Sequence, residues 1–272
     1  GPTDTPPGDN ARHAHRTAEL LAQMGLAVER HPVAAADVRA CGLASIVNHV
    51  LHRRFGGGPV IALNVHGDVV PPGAGWTHPP YAGDIVDGRM YGRGVAVSKS
   101  DIATYAYALR ALAALGTVRR GSVELHITYD EEFGGACGPQ WQLARELSDP
   151  DYALCPGFSY EIGMPHNGAV QLEVIGHGRA AHAALPATGI DALRAAHVLL
   201  GALYAYADGL GRARSHVAGI GAPTLVVGRI DGGINTNVVP DRVSLRLDRR
   251  VIPEERAEHV EHPRQRPPAQ GA

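Results

Sequence analysis

Two short clusters of residues carry groups suited to metal-dependent chemistry. In the first, Asp68 follows two residues after His66, and the second is the acidic run Asp130, Glu131 and Glu132. A neutral imidazole is a metal ligand, and a nearby carboxylate can hold its ring in the tautomer that binding needs. Consecutive carboxylates repel one another unless a cation offsets their charge, and neighbouring glutamates can serve as metal ligand and general base. Each cluster alone also fits a structural histidine or a solvated acidic turn.

Weaker motifs lie outside these clusters. A glycine-rich turn at residues 91–94 runs through Ser98 and Lys99 toward a predicted helix, where it could bind phosphate or serve as a tight turn. Its spacing fits neither a dinucleotide fingerprint nor a P-loop. Two further motifs lie farther on. One is residues 178–183, with His182, and the other is residues 232–240, with Asn237, which is followed by Arg250.

The elements around the two clusters predict an α/β fold. Residues 59–65 and 122–129 are apolar runs typical of buried strands, and residues 98–115 predict a helix. Alternating strands and helices favour a mostly parallel sheet with helices on both faces. Ligand sites in such sheets lie beyond the carboxyl ends of the strands. We therefore expect His66 and the acidic run to meet at one edge of the sheet.

A second domain is predicted from a change of pattern near residue 167. We assign residues 3–166 to a catalytic-type α/β domain and residues 167–254 to a smaller α+β domain. Residues 255–272 are rich in proline and charged side chains without apolar periodicity, so we expect them to be disordered. The second domain is predicted to run strand, helix, strand, strand, over residues 169–175, 189–208, 223–230 and 243–251.

Composition argues against several classes of partner. The 272-residue chain has a formal charge of −2, which gives no reason to expect nucleic acid or an anionic membrane as partner. No apolar run approaches the roughly 18 residues of a membrane-spanning helix.

Cys41, Cys137 and Cys155 form an odd set without CxxC spacing. We therefore expect free, mostly buried thiols in a reducing compartment, by default the cytoplasm.

Together and in this order, the five motifs resemble the aminoacylase, carboxypeptidase G and succinyl-diaminopimelate desuccinylase family of two-metal peptidases. The resemblance runs over nearly all of residues 10–254. It implies a zinc-peptidase-like α/β domain and an inserted lid domain through which the chain forms a homodimer. In that family the residues matching His66 and Glu132 bind metal. The residue matching Asp68 orients the histidine, and the one matching Glu131 is the general base.

The resemblance also implies roles for three residues of the second domain. The residues matching His182 and Asn237 help to stabilise the oxyanion, and the arginine matching Arg250 often binds a substrate carboxylate. Because Asp248 stands beside it, Arg250 could instead form an internal salt bridge.

The chain departs from the family pattern at several ligand positions. Val97 stands where the metal-bridging aspartate belongs, while Lys99, the only lysine, keeps the register. Ser100 replaces a glycine, and a looser alignment places Gly157 at a further carboxylate ligand. The final histidine ligand of the family follows the lid, and the tail of this chain does not resemble that segment. His66 and Glu132 therefore remain as matched ligands, with spare candidates at Asp68, Asp101, His166 and His177.

Three hypotheses follow from this reduced set. Because a catalytic zinc uses about three protein ligands, we expect one divalent ion, zinc or manganese, or a metal-free site. The first hypothesis is a divergent metal-dependent amidohydrolase acting on a small acylated amine or amino-acid-like compound. The second is a metal-free enzyme that uses the same pocket for condensation, cyclisation or proton transfer. The third is a non-catalytic, dimerising relic.

Overall fold

The computed structural model describes residues 2–117, 120–157 and 162–255. The chain divides into two compact units, residues 1–160 and residues 161–272, each with its own apolar core. The predicted boundary, between residues 166 and 167, lies six residues farther along. Within the described ranges, no helix is long and apolar enough to cross a membrane. The predicted disordered tail, apart from Glu255, falls outside the described residues.

The first unit is an α/β structure, as predicted. Its helices and strands follow one another in the order α1 Ala11–Gln23, β1 Glu29–Pro32, α2 Ala35–Ala40, β2 Val47–Arg54, β3 Val60–His66, β4 Asp84–Val86, β5 Arg89–Tyr91, α3 Lys99–Leu115, β6 Ser122–Thr128, α4 Pro139–Ala144 and β7 Tyr152–Leu154. The pattern of the sequence predicted α3 and the strands β3 and β6. Helix α2 and the β4–β5 hairpin were not predicted.

The central sheet has five strands in the order β1-β2-β6-β3-β7. Strands β6, β3 and β7 run parallel, whereas β1 pairs with β2 and β2 with β6 in the antiparallel sense. The α/β fold class is confirmed, and the sheet is mixed, with its parallel part formed by those three strands. An apolar strand pattern shows burial but not the neighbour with which a strand pairs, which is why the two antiparallel pairings were not foreseen.

The two faces of β3 and β6 differ in chemical character because successive side chains point to opposite sides. Leu63, Val65, Leu125 and Ile127 pack into the main core, which also contains Ile102, Ala106 and Leu109 of α3. The alternate residues are more polar and comprise Ala62, Asn64, His66, Glu124, His126 and Thr128. The sheet therefore presents one apolar face to α3 and one polar face on the opposite side.

The prediction of three free thiols is wrong for two of the cysteines. Cys41, just after α2, forms a disulfide with Cys137, which precedes α4. Cys155 is free and exposed rather than buried. The disulfide joins residues 96 positions apart in sequence. Such a pairing depends on the tertiary fold and cannot be inferred from cysteine spacing, so the inference of a reducing compartment loses its support.

The second unit has the predicted β-α-β-β order. It comprises β8 Gly168–His177, α5 Ala192–Leu210, β9 Thr224–Gly232 and β10 Arg242–Val251. The strands form an antiparallel sheet in the order β8-β10-β9. Ala192 and Ala196 of α5 pack against Val243 and Leu245 of β10. Asp191 is the N-cap of α5, since its side chain accepts hydrogen bonds from the backbone N–H groups of Leu193 and Arg194.

Acid should destabilise the first unit through His49. This side chain on β2 is fully buried, and neither ring nitrogen has a hydrogen-bond partner among the described residues. Burial, aided by the charges of Arg30 and His31, lowers its pKa from 6.5 to about 4. Between these values the unfolded chain binds a proton at His49 and the folded chain does not. The free energy of unfolding should therefore fall by roughly 3 kcal/mol as the pH drops from 6.5 to 4.

Denaturant unfolding at pH 7 and pH 4.5 tests this expectation with His49→Phe. The variant should lose less stability than the parent on acidification, because it lacks the proton-binding group. The control is His197→Gln on α5, an exposed histidine of the second unit, whose replacement should leave the acid response of the first unit unchanged. An equal acid response in the parent and His49→Phe would contradict the assignment.

Candidate metal centre

The two clusters identified in the sequence meet at one edge of the sheet. His66 is the last residue of β3, and Glu131 and Glu132 form a 3₁₀ turn just after β6. Strands β3 and β6 are parallel neighbours with His66 opposite Thr128. Their carboxyl ends therefore lie side by side, which brings the imidazole and the two carboxylates to the same place.

The side chains of His66, Glu131 and Glu132 form a group that could hold a metal ion. One ligand atom from each lies within 4.8 Å of the other two. The Nε2 atom of His66 is 3.7 Å from Oε2 of Glu131. His66 is buried, Glu132 is partly buried and Glu131 is exposed. The three donors thus surround a point at the boundary between the core and solvent.

Asp68 connects the imidazole to the acidic turn. The Nδ1 atom of His66 lies 3.1 Å from the carbonyl oxygen of Asp68 and 3.4 Å from its Oδ1. The other carboxylate oxygen of Asp68 accepts a hydrogen bond from the backbone N–H of Glu132 at 3.1 Å. With a proton on Nδ1, the Nε2 lone pair of His66 is directed toward the glutamates. Asp68 is completely buried, so this arrangement is fixed by the interior.

The electrostatics of the cluster favour a bound cation. Burial alone would lower the pKa of His66, but the hydrogen bond with Asp68 and the charges of Asp68, Glu131 and Glu132 raise it overall. Burial and the neighbouring Glu131 raise the pKa of Glu132. These shifts show unbalanced negative charge, which a divalent ion would compensate.

Asp130 belongs to the framework of the acidic turn rather than to the donor group. Its Oδ2 accepts a hydrogen bond from the backbone N–H of Cys137 at 2.6 Å, and burial raises its pKa to about 6. Gly138 packs so tightly on Asp130 that a Cβ atom there would clash with Oδ1. The three consecutive acids of the sequence therefore divide into one buried turn residue and two residues that face the cluster.

The cluster opens into a cavity of about 830 Å³ within the first unit. His66, Glu131 and Glu132 line it together with Arg93, and the polar face of the sheet and helix α4 border it on other sides. Arg93 also lies over the ring of Trp76 and donates a hydrogen bond to the carbonyl of Pro72 at 3.2 Å. A small organic molecule could therefore approach the three donors through this cavity.

Comparison with known proteins identifies the family. The sequence model of Peptidase family M20/M25/M40 matches residues 62–266, about three quarters of the chain. The chain belongs to this family. The sequence resemblance is therefore confirmed, and members of the M20 family are typically dinuclear metal-dependent enzymes.

Among curated proteins, M20 relatives named succinyl-diaminopimelate desuccinylase are similar to this chain. The protein from Paracoccus denitrificans is 35% identical over 217 residues, covering 71% of this chain and 53% of that protein. The one from Methylorubrum populi is 34% identical over 238 residues, covering 82% and 58% respectively. The chain thus spans just over half the length of these relatives.

Solved M20 structures share the fold. The M20 metallo-carboxypeptidase Sso-CP2 from Sulfolobus solfataricus superposes with a TM-score of 0.69 at 14% identity, covering 96% of this chain and 70% of that one. The dipeptidase Dug1p from Saccharomyces cerevisiae gives 0.67 at 15% identity, covering 92% and 66%. At these identities the comparison establishes the architecture alone.

The donor group of this M20 chain offers ligand types that zinc and manganese accept, namely one imidazole nitrogen and two carboxylates. Used together they are three ligands, the usual number for one catalytic zinc, and with Glu131 as a base two ligands remain. Val97 and Gly157 line the same cavity and have no ligand atom in their side chains. Among the described residues, the group of His66, Glu131 and Glu132 is the one cluster with metal-ligand geometry.

The spare ligand candidates do not join this group. Burial raises the pKa of Asp101, although the charge of His66 acts to lower it. Asp101 lies outside the three-donor cluster. His166 and His177 are exposed residues of the second unit. The Nδ1 atom of His166 contacts the carbonyl oxygen of Asn167 at 3.0 Å.

The structure brings His182 and Asn237 together within the second unit. His182 pairs with Val238 in an isolated bridge, and the N–H of Ala183 donates to the carbonyl of Asn237 at 2.9 Å. Both side chains are exposed.

Arg250 makes the salt bridge that the sequence left open as an alternative. Its Nε donates to Oδ1 of Asp248 at 2.7 Å, and Nη2 donates to Oδ2 at 3.3 Å. The neighbouring Arg249 is buried and pairs with Glu255 at 2.6 Å. Arg250 itself is exposed and already neutralised by Asp248.

Two polar residues of the cavity were missed in the sequence. His126 lies on β6 and Gln142 on α4, and both line the cavity that opens from the donor cluster. The available signal was the position of His126 within an otherwise apolar strand, on the same face as Glu124. Gln142 offered no such signal because its burial depends on how α4 packs.

Proposed function

We propose that the chain supports hydrolysis of the amide bond of a small acylated amine or amino-acid-like compound, with one divalent ion. The observation that carries this proposal is the convergence of His66, Glu131 and Glu132 at the mouth of a cavity. The relatives named succinyl-diaminopimelate desuccinylase favour N-succinyl amines as the first substrates to examine.

In this proposal His66 and Glu132 hold the ion, which is zinc or manganese. When bound, the ion supplies Lewis acidity that polarises the scissile carbonyl group. Asp68 positions the imidazole through Nδ1 and fixes the backbone of Glu132 at the same time. Asp68 thus orients both ligands, the imidazole through its backbone carbonyl oxygen and Glu132 through its carboxylate.

Glu131 is the proposed general base. Its exposed carboxylate borders both the donor cluster and the cavity, where it can accept a proton from an attacking water and pass it to the departing nitrogen. We assign oxyanion stabilisation to His182 and Asn237, and binding of a substrate carboxylate to Arg250. That binding would require Arg250 to exchange Asp248 for the substrate.

The remaining proposals concern assembly and location. We propose that the second unit forms the contact of a homodimer and that the protein acts in the cytoplasm on a small molecule, without nucleic acid or membrane as partner. The homodimer follows from the family resemblance, and the formal charge of −2 supports the absence of a nucleic-acid or membrane partner. The cytoplasmic location is a separate proposal that does not rest on the cysteines, two of which form a disulfide.

Metal removal tests the proposal against metal-free chemistry in the same pocket. Hydrolysis of N-succinyl and N-acetyl amino acids should be lost after dialysis against a chelator and return on adding zinc or manganese. Magnesium is the matched control and should restore little, because an imidazole suits zinc better than magnesium. Full activity in the chelator would overturn metal dependence and favour the metal-free hypothesis.

A further inference from the structure

A segment that precedes α1 packs against the residues that follow β3. Thr3, in this segment, is only 1% exposed. Its hydroxyl donates a hydrogen bond to the carbonyl oxygen of Gly67 at 2.8 Å, and its own carbonyl oxygen accepts one from the backbone N–H of Val69 at 3.1 Å. The backbone N–H of Thr5 donates to the carbonyl oxygen of Val69 at 2.8 Å. This segment therefore binds three backbone groups on the two sides of Asp68.

The same segment also reaches the residues that follow β6. Asn10 is fully buried, and its Nδ2 donates a hydrogen bond to the carbonyl oxygen of Tyr129 at 3.1 Å. Tyr129 directly precedes Asp130, the buried residue of the acidic turn. The backbone N–H of Asn10 donates to the carbonyl oxygen of Ser45 at 3.2 Å, which anchors the segment ahead of β2. We call residues 3–10 the N-terminal clamp, because they bind the residues after both strands.

Asp68 lies between the clamp and the donor cluster. It is completely buried, and its carbonyl oxygen lies 3.1 Å from Nδ1 of His66. Its Oδ2 accepts a hydrogen bond from the backbone N–H of Glu132 at 3.1 Å. Because planar peptide groups join Asp68 to both of its neighbours, a shift of residues 67–69 would move both contacts at once. The clamp therefore holds the one residue that connects the imidazole to the acidic turn.

Residues 67–69 lie between the clamp and the end of β6. The backbone N–H of Gly67 donates to the carbonyl oxygen of Thr128 at 2.8 Å. On the same side, the ring of Tyr129 packs so closely that a Cβ atom at position 67 would clash with it. Loss of the Thr3 hydroxyl would leave the carbonyl of Gly67 without this donor and would release one side of the segment. A buried carbonyl without a donor is costly, so the segment would shift to find a new partner.

We propose that the N-terminal clamp sets the position of the donor cluster and that Thr3 is a positioning residue, acting through Gly67 and Asp68. Thr3 itself is not part of the donor group. The inference rests on the proposed function, because the cluster that it positions is the metal site of that proposal. Groups that orient metal ligands from outside the ligand shell typically change metal affinity by about 10–100-fold. Since Thr3 acts from one contact farther away, we expect an effect of about tenfold.

Amide hydrogen exchange tests the clamp without any metal. The reporter is the backbone N–H of Glu132, which its hydrogen bond to Asp68 protects. Thr3→Val keeps the shape of the side chain and removes the hydroxyl, so this amide should exchange at least tenfold faster than in the parent. The amides of the β2–β6 ladder should keep their parent rates. Thr3→Ser retains the hydroxyl and should leave the exchange of Glu132 unchanged.

Zinc affinity of the same variants provides the second readout, measured by competition with a chromophoric chelator. Thr3→Val should weaken zinc binding about tenfold, and Thr3→Ser should change it less than twofold. Thr104→Val on α3 is the matched control, because the hydroxyl of Thr104 also donates to a backbone carbonyl, that of Ser100. This control should leave both the exchange of Glu132 and the zinc affinity unchanged.

Unchanged exchange of Glu132 in Thr3→Val would overturn the proposal, and so would an equal rise throughout the β2–β6 ladder, which indicates general destabilisation. Unchanged zinc affinity in a variant of a zinc-binding parent would overturn it as well. If Thr3→Val does not fold, Asn10→Leu, which removes the bond to Tyr129, gives both measurements with the same expected results. A parent that binds no zinc, with faster exchange confined to Glu132 in the variant, would overturn the proposed metal-dependent hydrolysis and leave the clamp standing.

Discussion

Glu131→Gln should lower kcat for N-acyl amine hydrolysis by about 10²–10⁴-fold while the fold and the bound metal are retained. Glutamine keeps the size of the side chain but cannot accept the proton of an attacking water. Because Glu131 is exposed, its replacement removes no buried contact. Initial rates, circular dichroism and metal analysis of the same preparation measure the three quantities separately.

Glu29→Gln on β1 is the matched control, since Glu29 is also an exposed glutamate of the first unit. Its activity should equal that of the parent. Undiminished activity of Glu131→Gln would end the assignment of Glu131 as general base. Loss of metal together with activity would instead make Glu131 a ligand, as its position 3.7 Å from His66 Nε2 also permits.

His66→Leu should weaken zinc binding by at least about 100-fold, the largest effect expected from any ligand replacement. His66 provides the one nitrogen of the donor group, and leucine fills a similar buried volume without a ligand atom. Competition with a chromophoric chelator gives the dissociation constant, and thermal unfolding shows whether the core is intact.

Two further variants test this expectation, one as a control and one with the opposite expected effect. His166→Leu should leave zinc affinity unchanged, because His166 lies outside the donor group. Val97→Asp should have the opposite effect to His66→Leu, since it adds a carboxylate to the cavity that holds the cluster. Unchanged zinc affinity in His66→Leu, or a loss in His166→Leu, would place the metal elsewhere.

The parts of the fold that follow from local pattern were predicted from sequence. Apolar runs predicted β3 and β6, and the segment 98–115 predicted α3. The expectation that the carboxyl ends of parallel strands meet at one edge placed His66 beside the acidic turn. The antiparallel pairing of β2 with β6 and the Cys41–Cys137 disulfide depend on which elements meet in space. The local periodicity of a sequence does not show which elements pack against each other.

The same distinction applies to the site. His66, Asp68 and the two glutamates were found because they occupy short segments at strand ends. Gln142 was missed because it is held by the backbone carbonyl of His49, which is far away in sequence. His126 was missed although its partner Glu124 is only two residues away on the same strand. Its place in the cavity depends on how the sheet and α4 pack, which the sequence pattern does not show.

The most direct test of the one-metal centre is the number of divalent ions bound per chain. The protein should be purified without chelator, dialysed against zinc or manganese, freed of excess ion and analysed by mass spectrometry of the elements. We expect about one ion per chain, lost in His66→Leu. Protein that retains no ion after both dialyses would contradict the account, and so would one ion per chain that persists in His66→Leu.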